Sequence, residues 1–294
     1  WFWKHGIKSD GVLISYDVLI EDSRFQNTKK SIKNLLGFDG AVIIDSGGFG
    51  ISKEEDPIAV YTKQKALNAD IGILLDKVIL PSQSVAMQKI FMEIVLKNAE
   101  NIFKRNNNKI RLMAVVQGAD DKQQRYCAEE LKKLGYTIYG IPLSNFSKNR
   151  KYEEAVKKFL NIKNVLGDSV IFHGLGCGSR TLIAVFSHLG ISIFDSSNYY
   201  KAAMFGEAIK DITFCALGKS INKKECASCL HKQSQPKTYE EKIFYNLVEI
   251  QKEITRSRCA IEEGKMKEYL PVRLGKTVYN KLEKYLTISS PSPS

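Results

Sequence analysis

Short apolar runs rich in β-branched residues alternate with longer polar or amphipathic stretches through most of this chain. The runs Gly11–Leu19, Gly40–Ser46, Ile71–Val78, Lys109–Gln117, Thr137–Leu143, Ser169–Leu175 and Ile191–Asp195 predict strands. Apolar on both faces, they fit a parallel sheet covered by helices rather than a half-exposed antiparallel one. The stretches Thr28–Leu36, Pro57–Asn68, Gln83–Asn106, Lys122–Leu134, Lys151–Asn161 and Arg180–Leu189 predict the helices between them. With an eighth, less regular unit near Ile212–Leu217, this βαβ rhythm predicts an α/β fold, a (β/α)8 TIM-like barrel. A doubly wound sheet ranks second, because no glycine-rich phosphate turn follows the first run.

Four of the runs end in a polar residue of the kind catalysis uses. Ala41–Ile44 leads into Asp45, Ile71–Leu75 into Asp76, Leu112–Val116 into Gln117 and Ile191–Phe194 into Asp195. The carboxyl ends of barrel strands are where active sites are built. Three carboxylates and an amide on one rim predict an enzyme. Each has a plainer reading: Asp45 could cap the next helix, Asp76 and Asp195 could be rim ion-pair partners, and Gln117 could only satisfy loop backbone.

Composition narrows the partner. The formal net charge is +12, which favours a polyanion, above all nucleic acid, although a lysine-rich background would give the same number. No apolar run approaches the roughly 20 residues of a membrane span, and no leader is recognisable after Trp1. Six cysteines at irregular spacing argue against a disulfide scaffold and for a cytoplasmic protein.

After Phe214 the pattern changes. Residues 1–214 read as the catalytic barrel, 215–264 as an irregular insert followed by one long helix over Tyr239–Glu263, and 265–294 as an extension, partly disordered. Within the insert, Cys226-Ala227-Ser228-Cys229 has the spacing of two zinc thiolates, with Cys215 and His231 as further candidate ligands. A redox pair is the alternative, but no thioredoxin-like setting surrounds it. Cys127, Cys177 and His173 read as packing or structural residues.

Seven ordered motifs together resemble the tRNA-guanine transglycosylase family. They are Asp45-Ser46-Gly47-Gly48-Phe49, Asp76 in Leu-Leu-Asp-Lys, Val116-Gln117-Gly118, the turn around Gly140, Leu175-Gly176-Cys177-Gly178, Phe194-Asp195, and a terminal helix with Asn246-Leu247 and Arg258–Gly264. The resemblance implies that Asp195 is the nucleophile at the anomeric carbon and Asp45 the general acid/base. It implies that Ser46, Asp76, Gln117 and the backbone near Gly140 hold the purine edge. Phe49 and Leu175 would sandwich the base, and Lys201, in place of a family arginine, would hold a phosphate. It also implies structural zinc, but the family's first cysteine and its histidine fall on Lys224 and Tyr245, so Cys215 and His231 stand as replacements.

Further departures bear on the substrate. The family glutamine after Gly-Gly-Phe is Gly50, the stretch before Asp45 is short, and no RNA-binding module follows Gly264. These features resemble the DpdA branch, which implies exchange of guanine in DNA for a 7-deazaguanine, with tRNA as the alternative substrate. Lysines 148, 151, 219, 223, 224, 232 and 237 and Arg150 would grip phosphates without reading bases. An enzyme of small phosphorylated metabolites and a silent nucleic-acid-binding subunit are the other classes. The reading leaves a homodimer or accessory proteins open.

Overall fold

The computed structural model describes residues 2–26, 28–47, 56–107, 109–148, 150–209 and 236–287. They form two compact units, Lys8–Pro142 with Lys157–Leu175, and the remainder.

In the first unit six strands pair in chain order, every pair parallel: β1 Gly11–Ser15, β2 Ala41–Asp45, β3 Ile71–Ile73, β4 Arg111–Val115, β5 Ile138–Pro142 and β6 Ile171–Leu175. Pairing of β1 with β2 runs from Gly11 opposite Ala41 to Ser15 opposite Asp45, so both strands end level. The apolar runs earn this arrangement by burial on both faces: Val42, Ile43, Ile44, Met113, Ala114 and Tyr139 are all buried. Phe159 meets the Phe172 ring edge-on at 5.1 Å beneath β6.

Helices α1 Tyr16–Glu21, α2 Ile32–Leu36, α3 Pro57–Ala66, α4 Val85–Asn106 and α5 Asp121–Lys133 fill the intervals. Their starts are set by local chemistry. Asp56 accepts the Ile58 N–H at 2.9 Å ahead of Pro57, and Asp120 accepts the Gln123 N–H at 2.9 Å. Several boundaries differ from the sequence reading, two strand ends among them. The first run stops being a strand at Ser15, because Tyr16 and Leu19 bury at helical spacing. The third is a strand for three residues, not eight, since Leu74 N–H turns to the Met113 carbonyl and the chain beyond is held by side chains.

After α6 Ser144–Lys148 and α7 Tyr152–Leu166, the second unit contains α8 Arg180–Leu189, β7 Ile191–Phe194, α9 Asn198–Met204 and α10 Tyr239–Glu262. Helix α8 has the predicted limits because Ser179 caps its start and Gly190, at φ 110°, ends it. Helix α10 opens with a capping box between Thr238 and Glu241 and packs on α8 and α9. Its Asn246, fully buried, donates to the Tyr199 and Glu207 carbonyls and accepts the Ile209 N–H at 2.6 Å, which pins the segment after α9.

The extension after Gly264 begins as two helices. Met266–Leu274 forms α11 and Lys276–Leu286 forms α12, with Leu270 and Leu282 buried and His188 Nε2 2.8 Å from the Leu286 carbonyl oxygen. Seven strands are present among the described residues. The expected eighth, near Ile212–Leu217, and the Ser-Pro tail lie outside them. The α/β class and the sequential parallel order are therefore established. No helix among the described residues is long and apolar enough to cross a membrane.

Candidate active site

Strand β2 delivers Asp45 to its carboxyl end, and the chain then turns through Ser46, which is 1% exposed, and Gly47 at φ +76°. Only glycine fits at 47: a Cβ there would lie 2.8 Å from Asp17 Oδ1. Asp17 is a carboxylate the sequence reading passed over. It lies in the first turn of α1, two residues past β1, and accepts the Ser15 hydroxyl at 3.1 Å. Ending the first strand at Ser15 would have marked it as one more acid at a strand end.

Asp76 stands nearby on the segment after β3. Burial pushes its carboxyl up to about 6, the Gln117 hydrogen bond pulls against that, and the negative charge of Asp45 raises it further. The Asp45 charge acting on Asp76 means the two acids share one neighbourhood. Gln117, 3% exposed, is locked from both ends. Its Nε2 donates to Asp76, and its Oε1 accepts the Ile79 N–H at 3.3 Å. The amide thus serves loop and acid together.

A lattice of glutamines, not foreseen from the sequence, holds these segments. Gln88 Nε2 donates to the Leu80 and Gln83 carbonyls, and Gln123 Nε2 donates to Gln88 Oε1 at 2.7 Å. Gln123 Oε1 in turn accepts the Ala119 N–H at 3.0 Å. These neutral amides satisfy buried backbone without adding charge beside the acids. Under Gln117 the Cys127 thiol accepts its backbone N–H and is pushed up to about 12 by burial. Lys158, lowered to about 8 by burial, donates to the Pro142 carbonyl at 3.1 Å. Gly140 of β5 lies against Leu175 of β6; a Cβ at 140 would be 2.9 Å from Leu175 Cδ1. His173 is fully buried in β6.

The raised acidity constant of Asp76 has a consequence for stability. Folding moves its pKa from 3.8 up to about 6, so the native state binds more protons between those values and stability falls as pH rises through that window. Asp76→Asn removes the penalty. Its thermal midpoint should exceed that of the parent by about 3 °C or more at pH 8, and the gain should vanish near pH 4. An equal gain at both pH values in thermal melts would refute the assignment.

In the second unit, Asp195 follows β7 and its Oδ1 accepts the Gly176 N–H at 2.8 Å. The Gly176-Cys177-Gly178 turn is shaped for this contact. Gly176 sits at φ +66°, and a Cβ on Gly178 would lie 2.0 Å from that of Ser196, whose hydroxyl donates to the Gly178 carbonyl at 3.0 Å. Burial and the Asp195 charge both raise the Cys177 thiol, which stays neutral. Beside the turn lies a cavity of about 390 Å³ lined by Ser179, Arg180, Asn198 and Arg273 among others. Lys201 is exposed on α9.

Phe49, Gly50, Cys215, Cys226, Cys229 and His231 lie outside the described residues. Among the described residues no group of three or more His, Cys, Asp or Glu side chains could hold a metal ion.

Residues 15–277 match the family described as queuine tRNA-ribosyltransferase, TGT. The chain belongs to that family. Among its relatives, a tRNA-guanine(15) transglycosylase of Methanocaldococcus jannaschii is 28% identical over 271 residues, which cover 84% of this chain and 41% of the relative. One of the same name from Methanococcus aeolicus is 28% identical over 266 residues, 83% of this chain and 41% of the relative. A third, from Methanobrevibacter smithii, is 30% identical over 189 residues, 61% of this chain and 28% of the relative. The chain spans about two fifths of the length of the first two relatives. The family membership agrees with the motif resemblance; the DpdA branch is not distinguished by it.

Proposed function

We propose that this chain carries the base-exchange chemistry of a guanine transglycosylase acting on tRNA. The observation that supports it best is the grouping of Asp45, Asp76 and Gln117 at neighbouring strand ends, in a chain of the TGT family. Asp195, steadied by the Gly176 N–H, attacks the anomeric carbon while the bond to guanine breaks. The leaving base takes a proton from Asp45, and a covalent glycosyl–aspartate ester remains. An incoming purine then loses a proton to Asp45 and displaces Asp195, restoring both acids. Asp76 and Gln117 hold the purine edge, with Ser46 and the backbone of Gly140 beside them. Leu175 and Phe49 cover its faces. Turning the nucleotide out of its stack costs a few kcal/mol, supplied by phosphate contacts. Arg180, which lines the cavity next to the Asp195 turn, is a better placed phosphate group than exposed Lys201.

The DNA reading is less well supported than the tRNA one. It rested on where the chain ends, on the short stretch before Asp45 and on Gly50. The first carries nothing in a chain spanning two fifths of its relatives, and Gly50 lies outside the described residues. The names of the relatives favour tRNA. A structural zinc on Cys226 and Cys229 with Cys215 and His231 belongs to the same proposal and is supported by the CxxC spacing.

The test offers radiolabelled guanine and a labelled 7-deazaguanine to the protein with tRNA and duplex DNA in parallel. Label should enter tRNA; label in DNA alone would restore the other substrate, and label in neither would end the transglycosylase reading. Binding should weaken about a hundredfold or more between 50 and 200 mM salt if several phosphates are gripped. Salt-indifferent binding would refute a polyanionic substrate.

A further inference from the structure

We infer that Gln64 is a positioning residue that sets the spacing of the Asp45 and Asp76 carboxylates by tying the ends of their two strands together. This inference rests on the functional reading above for its meaning, but not for its test. Gln64 lies in α3 and is 1% exposed. Its single Nε2 donates to two backbone carbonyls, Ile44 at 3.1 Å and Ile73 at 2.8 Å. Ile44 immediately precedes Asp45 on β2. Ile73 is the last residue of β3, three before Asp76.

The sheet itself leaves this task undone. Pairing of β2 with β3 covers two positions, Ile43 opposite Ile71 and Ile44 opposite Gly72, and then stops. Leu74 directs its N–H to β4 instead. Where the ladder ends, the amide of Gln64 spans the gap, so the separation of the two acid-bearing ends depends on one side chain. The structure also makes room for it. A Cβ on Gly72 would lie 2.5 Å from Gln64 Oε1 and 2.9 Å from its Cδ. Glycine at 72 in the middle of a strand costs stability by itself, and the space it leaves is filled by this amide.

A structural glutamine would only satisfy two carbonyls. A positioning glutamine must also alter the acids, and that is measurable. Asp76 feels its burial, the Gln117 hydrogen bond, the Asp45 charge and the Lys77 charge, and it acts in turn on Cys127. If the strand ends part, water enters and the two carboxylates move apart, and both changes return Asp76 toward an ordinary carboxylate.

The experiment follows the Asp76 carboxyl by 13C NMR in aspartate-labelled protein, with Asp76→Asn to assign the signal. Gln64→Met keeps the shape and removes both hydrogen bonds; the Asp76 midpoint should fall by about one pH unit or more. An unchanged midpoint in a folded variant overturns the inference. Should Gln64→Met fail to fold, Gly72→Ala displaces the same amide while every polar group stays present. It should shift the midpoint in the same direction, and an unshifted midpoint there also overturns the inference. No substrate is involved, so a protein that exchanges no guanine still answers the question.

Discussion

Asp195→Asn should lower guanine exchange by about a thousandfold or more while nucleic-acid binding survives. The substitution is chosen for its geometry. Asparagine keeps an oxygen in the Oδ1 position, so the Gly176 N–H retains its acceptor and the Gly176–Gly178 turn keeps its form. What disappears is the charge and the nucleophilic lone pair on which the proposed glycosyl ester depends. Alanine would be a poorer test, because it would leave the Gly176 N–H without that acceptor and confound folding with chemistry. Measured by label incorporation beside a filter-binding titration, full activity in the asparagine variant would place the nucleophile elsewhere. A covalent nucleic-acid adduct that survives denaturation of the parent protein, and is absent from the variant, would give the same answer by a second route.

Arg273→Met should lower unfolding stability by about 3–5 kcal/mol, the range for breaking a buried ion pair from one side. Arg273 Nε lies 2.8 Å from Glu253 Oε2, with side-chain exposures of 5% and 0%. The Tyr269 hydroxyl donates to the other carboxylate oxygen at 2.6 Å. Burial raises the Glu253 pKa, and the Arg273 charge and the Tyr269 hydrogen bond hold it down. Removing the guanidinium leaves the buried Glu253 carboxylate with only the Tyr269 hydrogen bond and the lesser pull of the Arg256 charge. Urea denaturation measures the loss. The double variant Glu253→Gln/Arg273→Met should recover part of it, since no buried charge then remains. For contrast, Glu263→Gln should change stability by less than about 1 kcal/mol, because its partner Lys265 and itself are 65% and 56% exposed on the side chain. A single Arg273 variant as stable as the parent would show that α10 and α11 are held by apolar contact alone.

The pattern of the chain carried the α/β class a long way. Helix α8 has its expected limits, where Ser179 and Gly190 bracket it, and α10 starts as expected, where Thr238 and Glu241 form a capping box, and ends one residue short of the expected Glu263. Such signals act over three or four residues and are written locally. Strand ends were read less well. The apolar run after Ile71 continues to Val78, yet β3 stops at Ile73, since the partners that end it, Met113 and Gln64, are distant in the chain. Asp17 was hidden for the same reason: a helical turn at Tyr16 cut short a run that reads as one strand. The helices after Gly264 bury Met266, Leu270, Leu274, Leu282 and Leu286, and they are stable through what those residues pack against, not through propensity.

The site divides along the same line. The apolar runs by themselves pointed to Asp45, Asp76, Gln117 and Asp195 as the polar residues that follow them, because burial on two faces dictates where a polar side chain can first emerge. The turn glycines at 47, 176 and 178 were equally legible, for positive φ and close approach demand them. Only the tertiary structure decided that Asp45 acts on Asp76, that Gln117 is locked between that acid and Ile79, and that glutamines from three helices hold the segments behind them. The pKa of a carboxylate depends on the water around it and on charges within a few ångströms. Neither quantity exists until distant parts of the chain have packed together.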